Sequence, residues 1–224
     1  MLAGADARLA SVGLSVMEGQ RSSRFDGTGG KRSFIPFDGW QYAPLVGLML
    51  AVADLDIADV EMYAGYSVEA AEDYLYNHGG TDPHGLKKEE IAAINLYTKQ
   101  NLGNEDQSFY KVLNRTFNDP DRRKLVPFFL YLKLFFTGVK RLKNACVEGG
   151  VKLWRAFPNR RDDWQTEYAK GSLVYWWGFS STTKDGDVLQ TPAFFGDTGQ
   201  RTLFLLECIS GIDITPYSDL TLPA

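Results

Sequence analysis

The sequence has 224 residues, 44% of them hydrophobic, 23% charged and 13% aromatic, a balance that excludes disordered and fibrous classes. At this length roughly 70% of the unfolded chain's surface can be buried without help from disulfides or metals. Twenty-four basic against 28 acidic side chains leave a net charge of -4, the wrong sign for a protein that holds nucleic acid by neutralising phosphates.

At the N-terminus, Met1 to Asp6 places an acid where a secretory leader needs a cationic region followed by an apolar one, so no signal peptide is expected and a cytoplasmic location is the default. Residues 1–33 are rich in glycine and serine and carry a single aromatic, Phe25. They read as a flexible tail or linker. From Phe34 the composition changes, and Trp40, Tyr42, Leu45, Val46, Leu48 and Leu50 predict the first helix of a single domain over 34–224. Ser67 to Tyr76 has helical spacing, which Asn77-His78-Gly79-Gly80 interrupts.

The spacing then predicts three successive helices. The first spans Leu86 to Tyr97, with Ile91, Ile94 and Tyr97 on one face and Glu89 and Glu90 in an early turn. The second spans Asp106 to Phe117, with Phe109, Val112, Leu113 and Phe117 in one stripe. The third carries Leu125, Phe128, Phe129, Leu132, Phe135, Phe136, Val139 and Leu142, with Pro127 near its start. Its most apolar stretch, Phe128 to Phe136, contains Lys133 and is far shorter than the ~20 residues a membrane span needs. The basic clusters Arg122-Arg123-Lys124 and Lys140-Arg141 read as solvated helix faces.

After Gly149-Gly150 the period becomes extended. Val151 to Phe157, Ser172 to Phe179, Arg201 to Ile209 and Ile212 to Ile214 read as strands. Helices at about 40–145 followed by strands at about 150–224 predict an α+β fold, with the helices packed on a mainly antiparallel sheet system. Cys146 and Cys208 lie far apart with no Cys-x-x-Cys spacing, and His78 and His84 are remote from both, so no metal site is expected. A single disulfide between them remains open.

Phosphate-loop, nucleophile-elbow, zinc-protease and dinucleotide fingerprints are absent from the sequence. Two features stand out. Arg155 lies in the middle of an apolar strand, Leu153-Trp154-Arg155-Ala156-Phe157, where an unpaired guanidinium would cost several kcal/mol and cannot discharge itself. It needs an anion, a carboxylate or a route to solvent. The second feature is Ser180-Ser181-Thr182-Thr183 after Gly178-Phe179, a hydroxyl run that can bond ribose or diphosphate oxygens or can simply initiate a turn. Trp154, Trp164, Trp176 and Trp177 lie between the two, as walls for a planar ring or as core.

In order and in type these residues resemble the arginine-type mono-ADP-ribosyltransferases. Leu153-Trp154-Arg155-Ala156 is similar to the family's Tyr-Arg-Gly strand, and Phe179-Ser180-Ser181-Thr182-Thr183 to its Phe-x-Ser-Thr-Ser strand. Upstream, Leu86 to Thr98 and Tyr110 to Asn114 are similar to its helical stretches, so the resemblance covers roughly residues 58–224. It implies a β-sandwich of the ADP-ribosyltransferase type and transfer of ADP-ribose from NAD to a side chain, arginine by analogy, of an acceptor protein, with release of nicotinamide and without a metal. Arg155 and Ser181 become the catalytic pair. Arg155, Ala156, Ser181, Thr182 and Phe194 (or its neighbour Phe195) become the NAD-binding set.

The family continues into a Glu-x-Glu motif, whereas this sequence stops at Leu220 to Ala224 and has only Glu207 after Ser181. A carboxylate held against the ribose stabilises the positive charge that develops when the nicotinamide bond breaks. The expectation is that a longer parent chain carries the glutamates and that the chain to Ala224 is inactive or crippled. Two other readings stay open: a non-catalytic module that holds a nucleotide or a protein, and a carbohydrate-binding domain using Trp154, Trp176 and Trp177.

Overall fold

A computed structural model describes residues 8–11, 24–25, 31–32, 39–100, 105–146, 150–157, 165, 168–171, 174, 176–184 and 200–219. The chain divides into two compact units, Met1–Leu14 with Lys143–Pro216 and Ser15–Leu142 with Tyr217–Ala224. The first holds an antiparallel sheet and the second the helices, so the architecture mixes α and β as the change of period predicts.

The helical unit contains α1 (Leu48–Val52), α2 (Val60–Asn77), α3 (Lys88–Thr98), α4 (Phe109–Asn118) and α5 (Phe129–Val139). Short 3-10 turns lie at Gly39–Tyr42, Glu105–Gln107 and Arg122–Phe128. The stripe of α5 is buried as its spacing predicts: Leu125, Leu132, Phe135, Phe136 and Val139 are essentially inaccessible, and so are Tyr131 and Leu134 on the helix's other sides. The expected helix nevertheless divides. Pro127 cannot donate a backbone hydrogen bond, and the first turns, Arg122–Phe128, are wound as a 3-10 helix. Aromatic edges fill the space around α5, with Trp40 against Phe136 at 4.5 Å and Phe109 against Tyr131 at 4.5 Å. The Tyr131 hydroxyl is satisfied inside this core by the Ala93 carbonyl at 2.9 Å.

At the start of helix α3 the Glu90 carboxylate accepts from the Lys87 amide at 2.9 Å. Glu90 is 1% exposed, and its charge is met by Arg141 Nε at 3.0 Å. Helix α2 ends where the sequence predicts. Gly79 and Gly80 take φ of 70° and 83°, and the Gly80 amide donates back to the Leu75 carbonyl at 2.8 Å. Arg122 corrects the reading of its cluster as a solvated face: it is buried, and its Nη1 donates to the Phe117 carbonyl at the end of α4. Arg123 and Lys124 stay exposed and pair with Asp121 at 2.8 Å and Asp119 at 2.5 Å.

Residues 217–219 belong to the same unit and dock on α2 and α3. Tyr217 donates to Asp82 at 2.8 Å, Asn95 donates to the Tyr217 carbonyl at 3.1 Å, the Asp219 amide donates to Thr98 Oγ1 at 2.9 Å, and Lys99 pairs with Asp219 at 2.6 Å.

The sheet unit contains β1 (Arg8–Ser11), β4 (Val151–Phe157), β5 (Ser180–Thr183), β6 (Thr202–Cys208) and β7 (Ile212–Asp213), in the order β6-β4-β5-β1-β7. Every pairing is antiparallel. The remaining described strands, β2 (Arg24–Phe25) and β3 (Lys31–Arg32), form a two-stranded antiparallel ribbon within the residue range of the helical unit. Strand β1 and this ribbon fall within the expected tail, whose other residues lie outside the described ones. Strand β4 has the expected bounds, and β6 is one residue shorter at each end. The strand expected at Ser172 to Phe179 differs: its described residues are irregular, and the hydroxyl run itself forms β5. Trp176 turns its ring onto side chains of β4 and β6 (Phe157 at 6.2 Å, Phe204 at 5.4 Å), so its bulk serves packing while the small Ser-Thr residues pair in the sheet.

Candidate functional site around Arg155

Two strands bring Arg155 and the hydroxyl run together. Trp154 of β4 stands opposite Thr183 of β5, and one position along β4 Arg155 Nη1 donates to the Ser181 carbonyl at 3.0 Å, across 26 positions of sequence. Side chains alternate along a strand, so Arg155 shares a sheet face with Leu153 and Phe157. The ladder to β6 sets Phe204 opposite Arg155 on that face.

The guanidinium consequently lies among aromatic rings. Its central carbon is 4.8 Å from the Phe157 ring centroid and 5.2 Å from that of Trp176, arrangements in which ring quadrupoles attract the cation. Phe204 meets Phe157 at 5.5 Å and Tyr168 at 4.9 Å. Trp176 is held in turn by Tyr168, whose hydroxyl accepts the indole N–H at 3.0 Å. A planar cation framed by ring faces and edges beside a strand of hydroxyls can grip a flat anionic ligand through charge and stacking.

The other expected site residues are distributed as follows. Thr182 is buried, and alternation from the Trp154–Thr183 pair puts it on the Arg155 face. Ser181 has an exposed side chain, which the same alternation directs to the opposite face, with Thr183 and Trp154. Ala156 pairs with Leu203 on that opposite face, and Glu207 stands there opposite Lys152. Phe194, Phe195 and Trp164 lie outside the described residues. Arg155 and Ser181 therefore meet through a backbone carbonyl, with the hydroxyl turned away.

Sequence reasoning singled out Trp176 but missed Tyr168 and Phe204. Alternation within Thr202–Cys208 would have put Phe204 on one face with Leu206, but which face of β4 it meets depends on the register between strands. No signal pointed to Tyr168. Among the described residues no group of three or more His, Cys, Asp or Glu side chains is gathered as for a metal ion, and no helix is long and apolar enough to cross a membrane. Comparisons with protein-family models, with curated proteins and with solved structures find no match to this chain.

Proposed function

We propose that the sheet unit is the nucleotide-gripping part of an NAD-dependent mono-ADP-ribosyltransferase with a β-sandwich of that family's type, acting on a protein side chain, arginine by resemblance. The observation that carries the reading is the Arg155 to Ser181 hydrogen bond at 3.0 Å, because it joins the two motifs on which the resemblance rests. In this reading Arg155 binds the diphosphate, its fork suited to paired phosphate oxygens. Trp176 and Phe157 orient the guanidinium. Thr182, on the same face, offers a hydroxyl to the ribose. NAD supplies the ADP-ribosyl group, with nicotinamide as the leaving group.

The test is calorimetric titration of NAD into the chain and into Arg155→Ala. Binding to the parent chain and its loss in the variant support the reading; equal affinity overturns it.

One observation favours a second reading, a non-catalytic module that holds a nucleotide or a protein. Ser181 and Glu207 both project from the face opposite Arg155, whereas transfer needs a hydroxyl and a carboxylate convergent with the cation on one substrate. Nicotinamide release from NAD by a longer parent chain that carries the glutamates, followed by chromatography, separates the two: release supports the transferase, and binding without release supports the module.

A further inference from the structure

The only two cysteines of the chain, far apart in sequence, are brought together in the sheet unit. Cys208 ends β6, opposite Val151 at the start of β4. Cys146 lies in the segment just before β4, and Asn144 clamps that segment to the turn after β6. Asn144 Oδ1 accepts from the Cys146 amide at 3.1 Å and from the Gly211 amide at 2.9 Å, and its Nδ2 donates to the Ile209 carbonyl at 3.1 Å. The Ala145 amide donates to the Gly211 carbonyl at 2.8 Å, and Asn144 bridges Ile212.

The clamp fixes both backbones and holds Cys146 beside the turn that follows Cys208. Cys208 Sγ also donates to the Ser210 carbonyl at 2.9 Å. Both are thiols in this structure. Cys146 is buried and Cys208 is partly accessible. Burial, and then the neighbouring thiol, push the Cys146 thiol up to about 11, against a smaller opposing effect of Lys184. Cys146 is therefore a poor first nucleophile, and Cys208 is the thiol that solvent-borne reagents reach.

We propose that Cys146 and Cys208 form a reversible dithiol–disulfide pair that staples the end of β6 to the segment leading into β4, driven by exchange with low-molecular-weight disulfides. The Cys208 thiolate attacks one sulfur of the small disulfide, forming a mixed disulfide and releasing one small thiolate. Cys146 then gives its proton to solvent and attacks Cys208 Sγ, expelling the second small thiol. The protein loses two electrons and two protons, and the small disulfide is reduced to two thiols. Since β4 carries Arg155, the staple would stiffen the strand on which the candidate site is built. The inference is independent of what that site binds.

The test uses the full chain incubated with oxidised glutathione, then alkylated in denaturant and mapped by peptide mass spectrometry. The expected result is a Cys146–Cys208 linked peptide in monomeric protein, loss of both titratable thiols, their return on treatment with dithiothreitol, and a melting temperature at least about 5 °C higher when oxidised. In Cys146→Ser the Cys208 mixed disulfide should persist, because no second thiol resolves it. Two thiols that stay alkylatable, or oxidation that yields only intermolecular dimers or a stable glutathione adduct of the parent chain, would overturn the proposal.

Discussion

Tyr217 donates its phenolic hydrogen to Asp82 Oδ1 at 2.8 Å across 135 positions of the chain. The same carboxylate accepts from the Tyr74 hydroxyl at 3.0 Å and from the His84 and Leu86 amides at 2.8 and 3.0 Å. Four donors converge on one largely buried acid, so its charge is compensated without a cation. Replacing Tyr217 with Phe keeps the ring on Tyr74, 5.3 Å away, and removes one donor to a charged acceptor. A loss of about 1 to 2 kcal/mol is expected, read as a lower denaturant midpoint at unchanged slope.

The same cluster makes stability depend on pH at both ends. Burial acts to raise the Asp82 carboxyl, but the bonds from Leu86, Tyr217, His84 and Tyr74 outweigh it and hold the group below the usual carboxylate range. A group depressed in the folded state stabilises it above the unfolded value of about 4 and loses that contribution as pH falls through the folded value. Tyr74 and Tyr217 are raised, first by burial and then by Asp82. Their contribution is complete below about pH 10 and is lost as pH climbs towards the folded values. Thermal melts from pH 3 to 11 should show both losses, and Asp82→Asn should shrink both. An unchanged profile in that variant would remove Asp82 as the cause.

Helices α3 and α5 approach closely at Gly138. A Cβ built there would lie 2.9 Å from Glu90 Cβ and 3.5 Å from the Glu90 carbonyl oxygen. Alanine is the better helix former by about 1 kcal/mol, yet it would force the helices apart and loosen the buried Glu90–Arg141 pair. A net cost of about 1 to 2 kcal/mol is expected for Gly138→Ala. Urea titration checks it, and a stabilised variant would show that the contact yields.

Arg155→Lys keeps the charge and discards the planar fork that sits between Phe157 and Trp176. If that fork grips a diphosphate, NAD affinity falls at least about tenfold, the effect of losing one hydrogen bond to a charged group. Calorimetry measures it directly. Affinity equal to that of the parent chain would mean that a point charge suffices.

Much of the helical unit was legible from the chain alone. The period of apolar residues from Leu125 to Leu142 carries its own burial, because a stripe of Phe and Leu that wide has no stable exposed alternative. The break at Gly79-Gly80 and the bounds of β4 were readable for the same local reason. The aromatic strand expected at Ser172 to Phe179 was not, since β-branched and aromatic composition serves a paired strand and a packed loop equally well.

By itself, then, the sequence determined the helical stretches between Ser67 and Leu142, the extended segments that become β4 and β6, and the cation set in the middle of β4, because these follow from spacing within a few residues. Tertiary structure alone decided the rest: that Arg155 meets the Ser181 carbonyl with the hydroxyl turned away, that Arg122 is buried, that Tyr217 reaches Asp82, and that Asn144 ties the segment of Cys146 to the turn after Cys208. Each depends on strand register or on the return of a distant segment. A shift of one residue in register reverses which face a side chain occupies, and no local pattern encodes that.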